Sequence, residues 1–229
     1  METNDPGLIS RIFQTSFRVA FQRAYPHMLL DADKYLLHVQ RVYRLPIQSW
    51  KEMHDLDEEI VNPIAKRILW ASARMAALEG MGLGLGGFAT VLPDIGILSA
   101  ITLRMLQKLS LIHGFEYSTA EETTALLIAV ASAAGVDVTR EFIEKQAVEH
   151  IVPRIIDRMA VRVGEEAAEK WVGHVFPLLS GGAAAMLNYY FVRSWGLRAQ
   201  KHFVEKYRLA RRGRKAVLLP PNLRLAGPE

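Results

Sequence analysis

The sequence predicts an all-α protein: a compact multi-helix bundle with glycine-rich apolar core helices, an amphipathic amino-terminal helix and a basic carboxy-terminal tail. Three observations carry this reading. Apolar residues recur at i, i+3, i+4 and i+7 through most of the chain. Capping-box pairs, Ser49 with Glu52 and Ser118 with Glu121, stand where such runs begin. No stretch of any length alternates apolar and polar residues as a half-buried strand does.

The chain has 229 residues, of which 50% are hydrophobic and 23% charged. That is enough for one sizeable core and too apolar for global disorder. Cysteine is absent, which excludes disulfides, thiolate metal sites and a cysteine nucleophile. The first ten residues, METNDPGLIS, lack a positive stretch followed by an apolar one, so no secretory signal is read there.

Residues 7–24 form the first expected helix, with Asp5 as cap and Pro6 at its first position. Ile9, Phe13, Phe17 and Phe21 lie on one face, while Arg11 and Arg18 lie on the other. Such a helix packs on a body or lies in a membrane interface, phenylalanines in lipid and arginines at headgroups. A second helix is expected over 31–44, closed by Pro46. Ser49 opens the next, followed by the acidic run Asp55, Asp57, Glu58 and Glu59, read as a solvated first turn. From Ile60 to about Gly80 the residues Ile64, Ile68, Ala71, Met75 and Leu78 repeat at helical spacing.

Residues 80–93 carry no charge and include five glycines. Their order invites comparison with a nucleotide loop, but helical patterning surrounds them and no Gly-Lys-Ser/Thr follows. Close helix packing is the better account, because glycines let backbones approach. Each helical glycine costs roughly 0.5–1 kcal/mol in water, so a packed partner or a membrane must offset it. Asp94 is expected to cap the next helix, which Gly114 ends. Residues 123–136 are charge-free and too short to span a bilayer. Residues 139–168 read as one or two amphipathic helices around Pro153. Residues 171–192 are long enough for one crossing, yet hold His174, Pro177, Ser180 and Asn188. A buried or partly inserted helix fits them better than a full span.

Charge is unevenly spread. Residues 193–229 carry a balance of +8, and the preceding 192 residues a balance of −4. The tail bases Lys201, Lys206, Arg208, Arg211, Arg212, Arg214 and Lys215 are expected to meet a polyanion, chiefly an anionic membrane. Phe203 and Tyr207 share a face. Residues 218–229, with three prolines, are expected to be disordered.

The run from Gly84 to Asp94, with Thr102-Leu-Arg-Met-Leu-Gln107, His113-Gly-Phe115 and Gly181-Gly-Ala-Ala-Ala-Met-Leu-Asn188, gives the middle of the chain a likeness to a known family: it resembles the EcsC family. The likeness covers roughly residues 60–210 and leaves residues 1–59 as flanking amphipathic helices and 211–229 as a flexible tail. It implies a bacterial all-helical domain and a connection with membranes, since the family takes its name from a gene beside a transporter; it supplies no reaction.

No arrangement of catalytic residues is recognisable. His113, His150, His174 and His202 are scattered, and no HExxH or G-x-S-x-G stands in the chain. No metal and no cofactor is expected. Glu79 and Asp94 border the apolar glycine block, Arg104, ten residues into the helix after Asp94, is a candidate partner for one of the two, and Asn188 is an amide in the second apolar block. These four are candidates for a small polar site, or for structural contacts that fix helix register. The expected function is that of a peripheral or partly inserted membrane protein on the cytoplasmic face. Its partners would be anionic lipid and a transporter or other membrane protein, rather than nucleic acid. Two alternatives stay open: a soluble helical interaction module, and an enzyme acting on an apolar substrate.

Overall fold

The computed structural model describes residues 30–83, 91–117 and 181–218, with single helical positions at 11, 14, 15, 18, 19, 122, 126, 129, 161 and 165. Among the described residues every regular element is helical, as the periodicity predicts. The elements are α1 (Ala32–Tyr43), a 3-10 helix (Trp50–Asp55), α2 (Glu58–Leu83), α3 (Val91–Ile112) and α4 (Gly181–Leu218).

Local chemistry sets the boundaries. Asp31 caps α1, its carboxylate accepting from the Lys34 amide at 3.0 Å, and Arg44 ends it in the left-handed region at φ 52°. The Ser49–Glu52 pair closes differently from the expected box. The Ser49 hydroxyl donates to the Glu52 carboxylate (3.0 Å), which also accepts from the Gln48 amide (2.9 Å). The pair opens a short 3-10 helix rather than an α-helix. That helix is an anchor: Trp50 is buried, stacks on Tyr35 at 5.6 Å and donates its indole N–H to the Ala32 carbonyl. α3 starts at Val91, so Asp94 lies inside the helix and not at its cap. Its other end agrees with the sequence. Gly114 takes φ +81°, its amide donates to Leu111, and the Phe115 amide donates to Ser110, the paired bonds of a Schellman stop.

α2 and α4 run antiparallel and form the spine. Glu58 meets Arg208 at one end, Leu69 meets Gly196 in the middle, and Trp70 meets Tyr189 further along. α3 packs on both. Leu103, Met105, Leu106, Leu109 and Ile112 of α3 are buried with Leu69, Ala73 and Ala76 of α2 and Val192, Trp195 and Ala199 of α4. Gly196 sits where the three helices touch. A Cβ there would lie 2.8 Å from Leu69 Cγ and 2.9 Å from Met105 Sδ. This close packing lies outside the glycine-rich block of residues 80–87 that suggested it.

α4 also revises the tail. It continues to Leu218, past residue 211 where a flexible segment was expected. Phe203 and Tyr207, on one face as the spacing requires, are both buried in the core. Residues 219–229 lie outside the described residues.

Candidate functional site

Three features distinguish the surface and interior of the α2–α4 pair: an ion-paired clasp at one end, a groove beside it and an apolar opposite end.

The clasp joins the acidic run to the basic helix. Arg208 donates through Nε and Nη2 to both Glu58 oxygens, at 2.7 and 2.8 Å, and Arg211 donates to Asp57 at 2.7 Å. The Arg208 bonds hold the Glu58 carboxyl below its ordinary range. Beneath them the Tyr207 hydroxyl donates toward the carbonyls of Met53 (3.1 Å) and Leu56. Two carboxylates of the expected solvated turn are thus partners of two tail arginines. Those arginines are correspondingly less available to an external polyanion.

Behind Tyr207 lie two buried histidines that spacing alone did not connect. His54 packs edge-on to Phe115 at 5.1 Å, and His113 stacks on Phe203 at 5.9 Å. His113 Nδ1 lies 2.7 Å from the Leu109 carbonyl, so that nitrogen carries the proton. Its Nε2 is buried without a hydrogen-bond partner among the described residues. Burial pushes the His113 pKa down to about 4. The ring is neutral near pH 7 and serves as an aromatic core residue.

The groove, of about 410 Å³, runs between α2 and α4. Lys66 and Asn62 of α2 line it together with Gln200, Lys201 and Arg208 of α4, and the Asn62 amide is also bonded to the Glu58 carboxylate. Leu197 and Val204 supply its apolar lining, and Glu205 is the one acid. Among the described residues neither Lys66 nor Lys201 makes an ion pair, whereas Arg208 is committed to Glu58.

The apolar end is where α2 finishes and α4 starts. The stripe expected to face the core divides: Ile64 and Ile68 are buried, but Met75 and Leu78 on the same face are 56% and 68% exposed. Met81, Met186 and Tyr190 at this end are also more than half exposed. Trp70 marks its boundary, against Tyr189 at 6.2 Å and under the Arg193 guanidinium at 5.3 Å. At the clasp end, exposed apolar residues such as Ile60 and Leu209 occur beside charged neighbours.

The structure scatters the sequence candidates. Glu79 and Arg104 are exposed and Asn188 is buried, so these three do not share one buried site. The Asp94 side chain lies outside the described residues. Lys201 and Arg212 are exposed, and Lys206 is half-buried with its pKa lowered by that burial. The side chains of Arg214 and Lys215 lie outside the described residues. Arg11 and Arg18 occupy helical, exposed positions, while Phe13, Phe17 and Phe21 are not among the described residues. Lys66 and Asn62 were missed because an isolated lysine on a helix gives no signal until its neighbour across the groove is known. Among the described residues no group of three acids or histidines is placed to hold a metal ion, and no helix is long and apolar enough to cross a membrane.

The Bacillus subtilis (strain 168) protein named Protein EcsC is 36% identical over 67 residues, a stretch covering 29% of this chain and 28% of that protein. No solved structure matches. The sequence model of the EcsC protein family matches residues 7–208. The match takes in most of the amino-terminal segment that the motif resemblance leaves outside. It also matches the continuity of the core, in which α1 and the 3-10 helix share buried contacts with α2, α3 and α4. The chain belongs to the EcsC protein family.

Proposed function

We propose that this protein is a peripheral membrane protein that docks through the apolar end of the α2–α4 pair. The observation that carries the reading is the stripe that leaves the core uncovered. Met75, Leu78, Met81, Met186 and Tyr190 are all more than half exposed at one end of one helix pair. Scattered apolar residues on a surface need no explanation, but a concentration at one end marks a contact.

A bilayer suits this end for two reasons. Trp70 with Tyr189 and Tyr190, beside Arg193 and the exposed Arg74, places aromatic rings and guanidinium groups at one boundary. Amphipathic rings and cations of this kind favour the headgroup level. The chain beyond Leu78 is also nearly charge-free, with Glu79 the last charge before Asp94. Docking therefore needs no spanning helix. A supporting role at a transporter is compatible with such docking, and no reaction is proposed.

Flotation of the purified protein with neutral and anionic vesicles tests the reading. Wild type is expected to float with both. The double change Met75→Ser and Leu78→Ser alters exposed side chains, so the helical circular dichroism should persist. Partitioning should fall by about tenfold or more, since burying one such side chain is worth roughly 1.5–3 kcal/mol when complete. A protein that stays at the bottom with every vesicle composition at low salt would overturn the proposal. Monodispersity without detergent and capture of a protein partner by the same face would then favour the interaction-module reading.

A further inference from the structure

We infer that the groove between α2 and α4 is a binding site for a phosphate-type anion, held between Lys66 and Lys201. Lys66 belongs to α2 and Lys201 to α4, yet both line the same groove together with the Gln200 amide and the Asn62 amide, the latter also bonded to the Glu58 carboxylate. Amides and ammonium groups together supply donors to several oxygens of one tetrahedral anion. Neither lysine is engaged in an ion pair among the described residues. Arg208 is different: two of its donors already serve Glu58. Glu205 also lines the groove, four residues beyond Lys201. The cations without an ion pair among the described residues therefore lie at the end bounded by Lys66 and Lys201, away from the clasp.

That end is also the one nearer the apolar surface. Lys66 precedes Trp70 by four residues on α2, about one helical turn or ~6 Å along the axis. An anion in the groove would thus sit just above the aromatic boundary, where the phosphate of an anionic lipid lies if the apolar end enters a bilayer. Leu197, in the same groove, offers apolar contact to the carbon attached to that phosphate. The groove does not depend on that docking, because a soluble phosphomonoester presents the same chemistry. The ligand class is a phosphate group in either source.

Two arms distinguish the sources. In solution, inorganic phosphate and glycerol phosphate are titrated into the labelled protein and followed by NMR shifts of Lys66, Gln200 and Lys201. On membranes, binding to anionic vesicles is compared with binding to neutral ones. The variants are Lys66→Ala, Lys201→Ala and their combination, with Arg212→Ala removing one exposed charge outside the groove. Each groove change is expected to weaken anion binding about fivefold, and the pair about 25-fold, from the usual contribution of one base near an anionic surface. Arg212→Ala should have much less effect.

Loss of the anionic preference in the groove variants, with neutral-vesicle binding unchanged, supports the site with lipid as its source. Saturable phosphate shifts that vanish in the groove variants support it with a soluble source, even if no vesicle binds. The inference is overturned if phosphate moves no groove resonance and the groove variants keep the wild-type preference. It is equally overturned if Arg212→Ala weakens binding as much as either lysine change, since the attraction would then be diffuse.

Discussion

Gly114 shows how one residue can hold an interior cluster in place. Its φ of +81° is strained for any side chain, and a Cβ would stand 2.6 Å from His54 Nε2. Gly114→Ala should therefore cost roughly 1–3 kcal/mol, measured as a lower urea midpoint with an unchanged slope. A second prediction concerns pH. With its pKa lowered to about 4 by burial, His113 binds fewer protons when folded than when unfolded at an ordinary value near 6.5. Its contribution to stability is complete above about pH 6.5 and is lost as pH falls toward 4. Glu58, whose carboxyl is lowered by Arg208, loses stabilisation in the same direction at lower pH. Urea midpoints from pH 7 to 4.5 should fall, and His113→Leu should flatten the upper part of that decline. A midpoint independent of pH over this range would contradict the buried neutral ring. The glycine stop was legible because a helix end followed by His-Gly is a local signal. The histidine cluster was not, because His54, His113 and Tyr207 meet only through tertiary packing.

At the scale of elements, the helices were legible and the roles of their faces less so. Periodicity placed Ile64, Ile68, Met75 and Leu78 on one stripe, but it carries no information about where the covering partner ends. The basic composition of residues 198–215 suggested a tail, although Phe203 and Tyr207 share a spacing that is equally that of a core helix. Here the core prevails, and the acidic turn takes up two of the bases. Glycine makes the same distinction between composition and packing. Gly196 fills a three-helix contact, so Gly196→Ala should destabilise by about 1–3 kcal/mol through overpacking. Gly82 is exposed and a Cβ there meets nothing within 4 Å, so Gly82→Ala should stabilise by about 0.5–1 kcal/mol through helix propensity. Thermal midpoints of the two variants should move in opposite directions. Movement in the same direction would mean that the backbone at one of these positions is packed differently.

At the scale of the whole molecule, the described residues make the α2–α4 spine polar, with charge joined to charge at one end and apolar side chains exposed at the other. The acid Glu79 interrupts that second end, exposed between Leu78 and Met81. If this end enters a membrane interface, the carboxylate must remain near water or lose hydration, which opposes deep insertion. Glu79→Gln removes the charge while keeping shape, so it should tighten binding to neutral vesicles, by about fivefold for a gain of ~1 kcal/mol. Removing a negative charge also favours anionic vesicles through long-range attraction, but that part should disappear in high salt. The gain on neutral vesicles should survive it. Parallel titrations at low and high salt therefore separate desolvation from screening. A Glu79→Gln protein that improves only on anionic vesicles, and only at low salt, would place this end outside the bilayer and leave the groove as the membrane-facing feature.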